Sequence, residues 1–173
     1  MQTEKKKLNF GCGFDYRDGW VNVDMSSKGN EYDEKIKTDK AFNFDKFPYP
    51  FKDNTFDYIY ANQVLEHLLY PEKCIKELIR ICKKRAIIEI RVPHFADYQA
   101  FENPTHKKYF SLNSINHMLY GSKLVRKELE LTQQFWLRWF AKLITASPYV
   151  WERFLRGLFP VVRGCKWVIR VEK

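Results

Sequence analysis

Lys7-Leu8-Asn9-Phe10-Gly11-Cys12-Gly13, followed by Gly19-Trp20-Val21-Asn22-Val23-Asp24, decides the fold of this chain. Each stretch holds a short apolar run that ends in polar or conformationally free residues. A strand of a buried parallel sheet delivers a site at its carboxyl end in this way. About ten residues separate the two runs, too few for the full helix of an ordinary strand-helix-strand crossover. A short helical turn or a compressed connection must join them.

Outward from this pair, residues 35–45 hold a weak third strand candidate, and Phe56-Asp57-Tyr58-Ile59-Tyr60-Ala61 a better one. Asn62 to Leu69 reads as a loop passing into a short helix. Pro71 suits a helix start, and Ile75, Leu78, Ile79 and Cys82 recur at the spacing of a buried helical face. Ala86 to Val92 is largely β-branched and ends at Pro93-His94. Residues 95–122 suit a loop with a helix near Ser111 to Leu119, Leu124 to Phe135 another strand, and Lys166 to Val171 a terminal strand. Strand, turn, helix, strand in this order predicts an α/β fold with a mostly parallel sheet covered on both faces.

The 173 residues fit a single domain, expected over residues 1–173, and they carry a formal charge of +9. The excess is mainly C-terminal: residues 123–173 hold eleven Lys/Arg against four Glu. Such charge attracts nucleic acid, anionic lipid or an acidic substrate without naming one. Cys12, Cys74, Cys82 and Cys165 form no Cys-x-x-Cys pair, which argues against a zinc knuckle or redox dithiol and for reduced thiols in a cytoplasmic protein. The N-terminal stretch lacks the apolar run of a signal peptide, and no segment approaches a membrane span.

Gly11-Cys12-Gly13 lets backbone turn tightly and approach a ligand. Asp24, at the next strand end, can accept hydrogen bonds from a ribose diol. Dinucleotide binding fits badly, because a third glycine is missing and Asp24 comes too early. Phosphate binding of the Walker type fits worse, with no Gly-Lys-Ser/Thr present. A nucleoside cofactor without a pyrophosphate remains.

Together with Gly19 to Asp24, Pro48-Tyr49-Pro50-Phe51-Lys52-Asp53-Asn54-Thr55-Phe56-Asp57, Val64-Leu65-Glu66-His67 and Arg91-Val92-Pro93-His94, the first loop resembles the class I S-adenosylmethionine-dependent methyltransferases, and more narrowly the type 11 group. The resemblance spans roughly residues 6–120. It implies a Rossmann-like domain with the last strand antiparallel and S-adenosylmethionine as cofactor. It further implies that Gly11, Cys12 and Gly13 wrap the methionine and ribose part, that Asp24 holds the ribose, and that Asn62 and Gln63 lie at the methionine rim. Asn9 stands where many members have an acid; an amide can order the loop without compensating positive charge. Asn43 is the expected reader of adenine, with Asp45 and Asp39 as alternatives.

Methyl transfer from a sulfonium mainly requires alignment and exclusion of water, with a base where the acceptor is a hydroxyl or protonated amine. His94, directly after a central strand, is the expected base. His106, in Asn103-Pro104-Thr105-His106, would orient the acceptor and Tyr109 would form a wall; the alternative is a lid loop pinned by Pro104. His67 reads as a structural residue at a helix start. The four histidines show no compact ligand spacing, so no metal is expected.

Residues 136–160 form an expected helical insertion before the last strand, with Trp136, Trp139, Phe140, Leu143 and Ile144 on one face. Sheet cover, a homodimer contact and peripheral contact with lipid all stay open for it. The expected acceptor is accordingly a small molecule or a lipid- or glycan-linked one. Two rivals stand beside this reading: a cofactor-binding interaction subunit without catalysis, and a nucleic-acid methyltransferase, disfavoured by the lack of a DNA-reading module.

Overall fold

The apolar runs become strands in a computed structural model that describes residues 5–25, 36–131 and 162–173. Strands β1 (Lys7–Phe10), β2 (Val21–Asp24), β3 (Lys40–Ala41), β4 (Phe56–Asn62), β5 (Cys82–Pro93), β6 (Lys123–Leu131) and β7 (Val162–Arg170) form one sheet in the order β3-β2-β1-β4-β5-β7-β6. The strands β1 to β5 pair in parallel, and β7 runs antiparallel to both β5 and β6. The last strand is therefore antiparallel, as expected. On either side of β1 the chain winds in opposite directions, to β2 on one edge and β4 on the other. That reversal leaves a crevice outside the carboxyl ends of β1 and β4, where such sheets bind ligands.

No helix bridges β1 and β2. Residues 11–20 make a compressed loop in which the Gly11 and Cys12 N–H groups both donate to the Val23 carbonyl at 2.9 Å. Helix α1 (Pro71–Ile81) starts at its proline and buries Ile75, Leu78 and Ile79, as the spacing predicts; Cys74 joins that face, while Cys82, the fourth expected position, is buried as the first residue of β5. Each such side chain contributes roughly 1.5–3 kcal/mol of apolar burial.

Three expectations need correction. The third strand shrinks to two residues, because β3 pairs with only Val23 and Asp24. The helix expected near Ser111 to Leu119 is a single 3-10 turn at Ser114–His117. A short helix α2 (Gln99–Glu102) appears where a loop was expected. The insertion at 136–160 lies outside the described residues.

The core is built on aromatics. Phe10 stacks on Phe44 with ring centroids 3.9 Å apart, and Phe42 and Tyr49 pack around the pair. Trp167, fully buried on β7, donates its indole N–H to the Leu112 carbonyl at 3.0 Å and meets Phe110 edge-on. This anchor holds the long connection after β5 over the carboxyl ends of the strands.

Candidate active site

The crevice is a cavity of about 780 Å³, large enough for a nucleoside cofactor and part of an acceptor. Its first wall comes from the β1–β2 loop. Gly11 has φ +72°, and a Cβ there would collide with the Val64 side chain. Gly13, at φ +47°, donates its N–H to one Asp24 carboxylate oxygen at 2.8 Å, while Met25 N–H donates to the other at 2.7 Å. Asp24 is thus fixed by two backbone donors, with lone pairs left toward the cavity it lines.

Asn9 lies beneath this loop and is nearly fully buried. Its amide NH2 donates to the Asp15 carbonyl at 2.5 Å and to Asn22 Oδ1 at 3.2 Å. Asn22 in turn donates to the Arg17 and Trp20 carbonyls. A carboxylate at position 9 has no proton to donate to these acceptors, which gives the amide its physical reason. Cys12 also lines the cavity, but burial, and then the charge of Asp24, pushes its thiol up to about 11. It stays protonated and is no nucleophile.

Asn62, the last residue of β4, and Gln63, which follows it at φ +56°, both line the cavity. Beyond them the wall is made by His67, Asn103, Thr105 and Lys107. The 3-10 turn Leu65–His67 and the loop 103–108 are tied together by Lys107 and Lys108, whose N–H groups donate to the Glu66 carbonyl at 2.7 and 3.1 Å. His67, expected from the sequence to be structural, also lines this cavity. The signal available was its place just past the end of β4, in the same crevice.

His94 does not reach this cavity. It continues the series Ala86, Ile88, Ile90, Val92 on the buried side of β5 and is itself fully buried, with Nδ1 accepting from the Ala96 N–H at 3.1 Å. Strand alternation, read one step further, carries that signal. Asn43 is exposed, and its side chain accepts from the Asp45 N–H at 2.8 Å in a local turn. Asp45 instead accepts from the Leu69 and Tyr70 N–H groups ahead of α1, so neither residue lines the cavity, whereas Phe44 between them does. Tyr109 stacks on Phe101 at 4.6 Å and is half-exposed, also outside it. His106 lines a neighbouring cavity of about 190 Å³ that shares Gln63.

Glu66 is the unusual group here. It is 1% exposed, and neither carboxylate oxygen has a hydrogen-bond partner among the described residues. Burial pushes its carboxyl up to about 8.

Residues 8–90 match the family model described as a methyltransferase domain. Among curated protein sequences none matches significantly. Among solved structures, an S-adenosylmethionine-dependent methyltransferase from Archaeoglobus fulgidus is similar at TM-score 0.67 and 16% identity, covering 98% of this chain and 87% of that one. A protein described as a putative methyltransferase from Bacillus halodurans is similar at TM-score 0.66 and 13% identity, covering 100% and 95%. A third, described as a putative methyltransferase in complex with the Trm112 activator of Haloferax volcanii, has TM-score 0.62 and 12% identity, covering 98% and 83%. At these identities the structures speak for the fold.

Proposed function

We propose that this chain works as a class I S-adenosylmethionine-dependent methyltransferase, a reading supported by the methyltransferase-domain match over residues 8–90: Gly11 to Gly13 and Asp24 hold the cofactor, and the wall from His67 to Lys107 receives the acceptor. The observation that carries the assignment is the Asp24 carboxylate, fixed by Gly13 and Met25 N–H groups at the ends of adjacent parallel strands and opening on the 780 Å³ cavity. The residues fit the group. Gly11 gives backbone where a side chain would collide with Val64, Asp24 offers lone pairs to a ribose diol, and Phe44 and Met25 give apolar surface for a base.

S-adenosylmethionine supplies an activated methyl on a sulfonium, which departs as a neutral thioether. The chain's own part is alignment. Asn62 and Gln63 set the rim at the methionine end, and Val64 and Leu68 give a dry floor. His67, rather than His94, is the imidazole placed to take a proton from an acceptor. Its Nδ1 lies 2.9 Å from Thr105 Oγ1, and Thr105 donates its own hydroxyl proton to Asn103 Oδ1 at 2.7 Å. Nδ1 therefore carries the hydrogen, and Nε2 is the basic nitrogen.

The acceptor we assign is a small molecule or a lipid- or glycan-linked one, in keeping with the open crevice and the +9 charge. No helix among the described residues is long and apolar enough to cross a membrane. Four buried free cysteines suit a reducing, cytoplasmic setting. Calorimetric titration with S-adenosylmethionine and S-adenosylhomocysteine tests the cofactor half. One saturable site is expected, weakened on the order of a hundredfold in Asp24→Ala, since bonds to a charged acceptor are worth about 1.5–3 kcal/mol each. Undiminished binding in that variant would sink the assignment.

A further inference from the structure

Glu66, His67 and His106 bring one ligand atom each to within 4.8 Å of one another, although His67 and His106 are far apart in sequence. The two imidazole rings meet edge to face at 4.8 Å between centroids. Both are oriented by their Nδ1 atoms: His67 by Thr105, as above, and His106 by the Ala100 carbonyl 2.8 Å away, which can only accept. Each Nδ1 is thus the protonated nitrogen, and each Nε2 has a lone pair. Oriented imidazoles of this kind are the usual supporting arrangement of metal ligands. The third member is the buried Glu66 carboxylate that lacks any hydrogen-bond partner among the described residues.

We infer that Glu66, His67 and His106 bind a divalent first-row transition cation at the junction of the two cavities, with coordination positions left open to the acceptor wall. Two imidazoles and one carboxylate make the ligand set of open catalytic zinc sites and of facial iron sites, and they suit Zn²⁺, Mn²⁺, Fe²⁺ or Co²⁺ better than Ca²⁺. This proposal departs from the absence of metal expected from the sequence. Spacing along the chain does not register the cluster, because the loop 103–108 is brought to the turn Leu65–His67 by backbone hydrogen bonds. The cation neutralises a carboxylate that burial otherwise penalises. In its open positions it takes an acceptor oxygen and polarises it. This last use rests on the reading of the large cavity as the methyl-transfer cleft, and with it His67 acts as a ligand instead of as a base.

The test uses the full chain, freed of metal with a chelator. Co²⁺ is titrated in while its visible d–d absorption is followed, and Zn²⁺ is then added in competition. Wild type is expected to bind one equivalent saturably and to lose the cobalt spectrum to Zn²⁺. His106→Ala and Glu66→Gln should each weaken binding at least tenfold. Circular dichroism identifies a variant that fails to fold, and His106→Ala carries the test if Glu66→Gln does so. Weak multi-site binding, or binding unchanged in the folded variants, overturns the site. It is also overturned if Glu66→Gln raises stability while wild type binds no cation, the mark of a buried neutral acid. S-adenosylmethionine titrated into the same samples separates the two readings: lost cofactor binding with an intact cation site counts against the cleft assignment alone, and the converse against the cation alone.

Discussion

Asp24 lines the large cavity, whereas Glu66 is buried in the turn whose His67 lines it, and the two acids meet their surroundings in opposite ways. Asp24 is half-buried and accepts two backbone N–H groups; Glu66 is sealed from solvent and accepts none at its carboxylate. The proposed cofactor end is thus complete within the chain, its acid satisfied by backbone N–H groups. Beside the proposed acceptor wall lies an acid whose counterpart must come from a proton or from a bound species. Under the proposed reading, the fixed acid serves a ligand that is always the same, and the unsatisfied one a ligand that brings the chemistry.

The contrast can be broken most sharply at Gly11. Gly11→Ala places a Cβ on Val64 at a φ that L side chains rarely adopt, so both strain and overlap arise. A loss of about 2–4 kcal/mol in urea unfolding and of most S-adenosylmethionine affinity is expected. The double variant with Val64→Ala should recover the overlap part but not the backbone strain. If Gly11→Ala behaves like wild type in both assays, the cofactor end is not the close-packed cradle described.

Asn9→Asp ranks next. It supplies the acid that the resemblance would favour, yet removes both donations to Asp15 and Asn22 and sets a carboxylate against acceptors. Stability should fall by about 1–3 kcal/mol, read by chemical denaturation, with cofactor affinity falling alongside as the loop loosens. A gain in affinity would instead mean that charge at position 9 matters more than loop order.

Trp167→Phe tests the acceptor end from a distance. It keeps an aromatic ring but removes the pyrrole half of a fully buried indole together with its bond to the Leu112 carbonyl, so a loss of about 1–3 kcal/mol is expected. Hydrogen exchange should rise in residues 95–118 and stay unchanged in residues 7–24.

Glu77→Gln gives the smallest effect. Glu77 accepts from the Tyr49 N–H and pairs with Arg80, bracing residues 49–53 against α1. Burial raises its carboxyl, but Arg80 and the Tyr49 N–H outweigh that and hold it below the ordinary value. The unfolded chain therefore binds the proton more tightly, so this stability is present above about pH 4.5 and is lost as pH falls through the lower folded value. The variant should be less stable by roughly 1 kcal/mol at pH 7 and show a flatter acid limb, measured by thermal melts across pH.

Much of residues 11–24 and of α1 was legible because it is local. Glycines with left-handed φ, an acid at a strand end and a helix with a four-residue apolar repeat are all set within a few residues of chain. His94 shows the limit of that locality: its position after β5 was legible, but strand alternation sends its ring to the buried side. Asn43 and Asp45 show another, since each is drawn into a turn or a helix start nearby.

By itself, then, the sequence determined the α/β class, the order of the main strands, α1, and the Gly11–Gly13 and Asp24 elements, because backbone freedom and side-chain period act over short range. Tertiary structure alone decided which histidines face the crevice and that Glu66, His67 and His106 converge. Their meeting depends on backbone bonds between the turn 65–67 and the loop 103–108, and on Trp167 anchoring the chain beyond them. Contacts of that separation leave no periodicity or spacing in the chain to read.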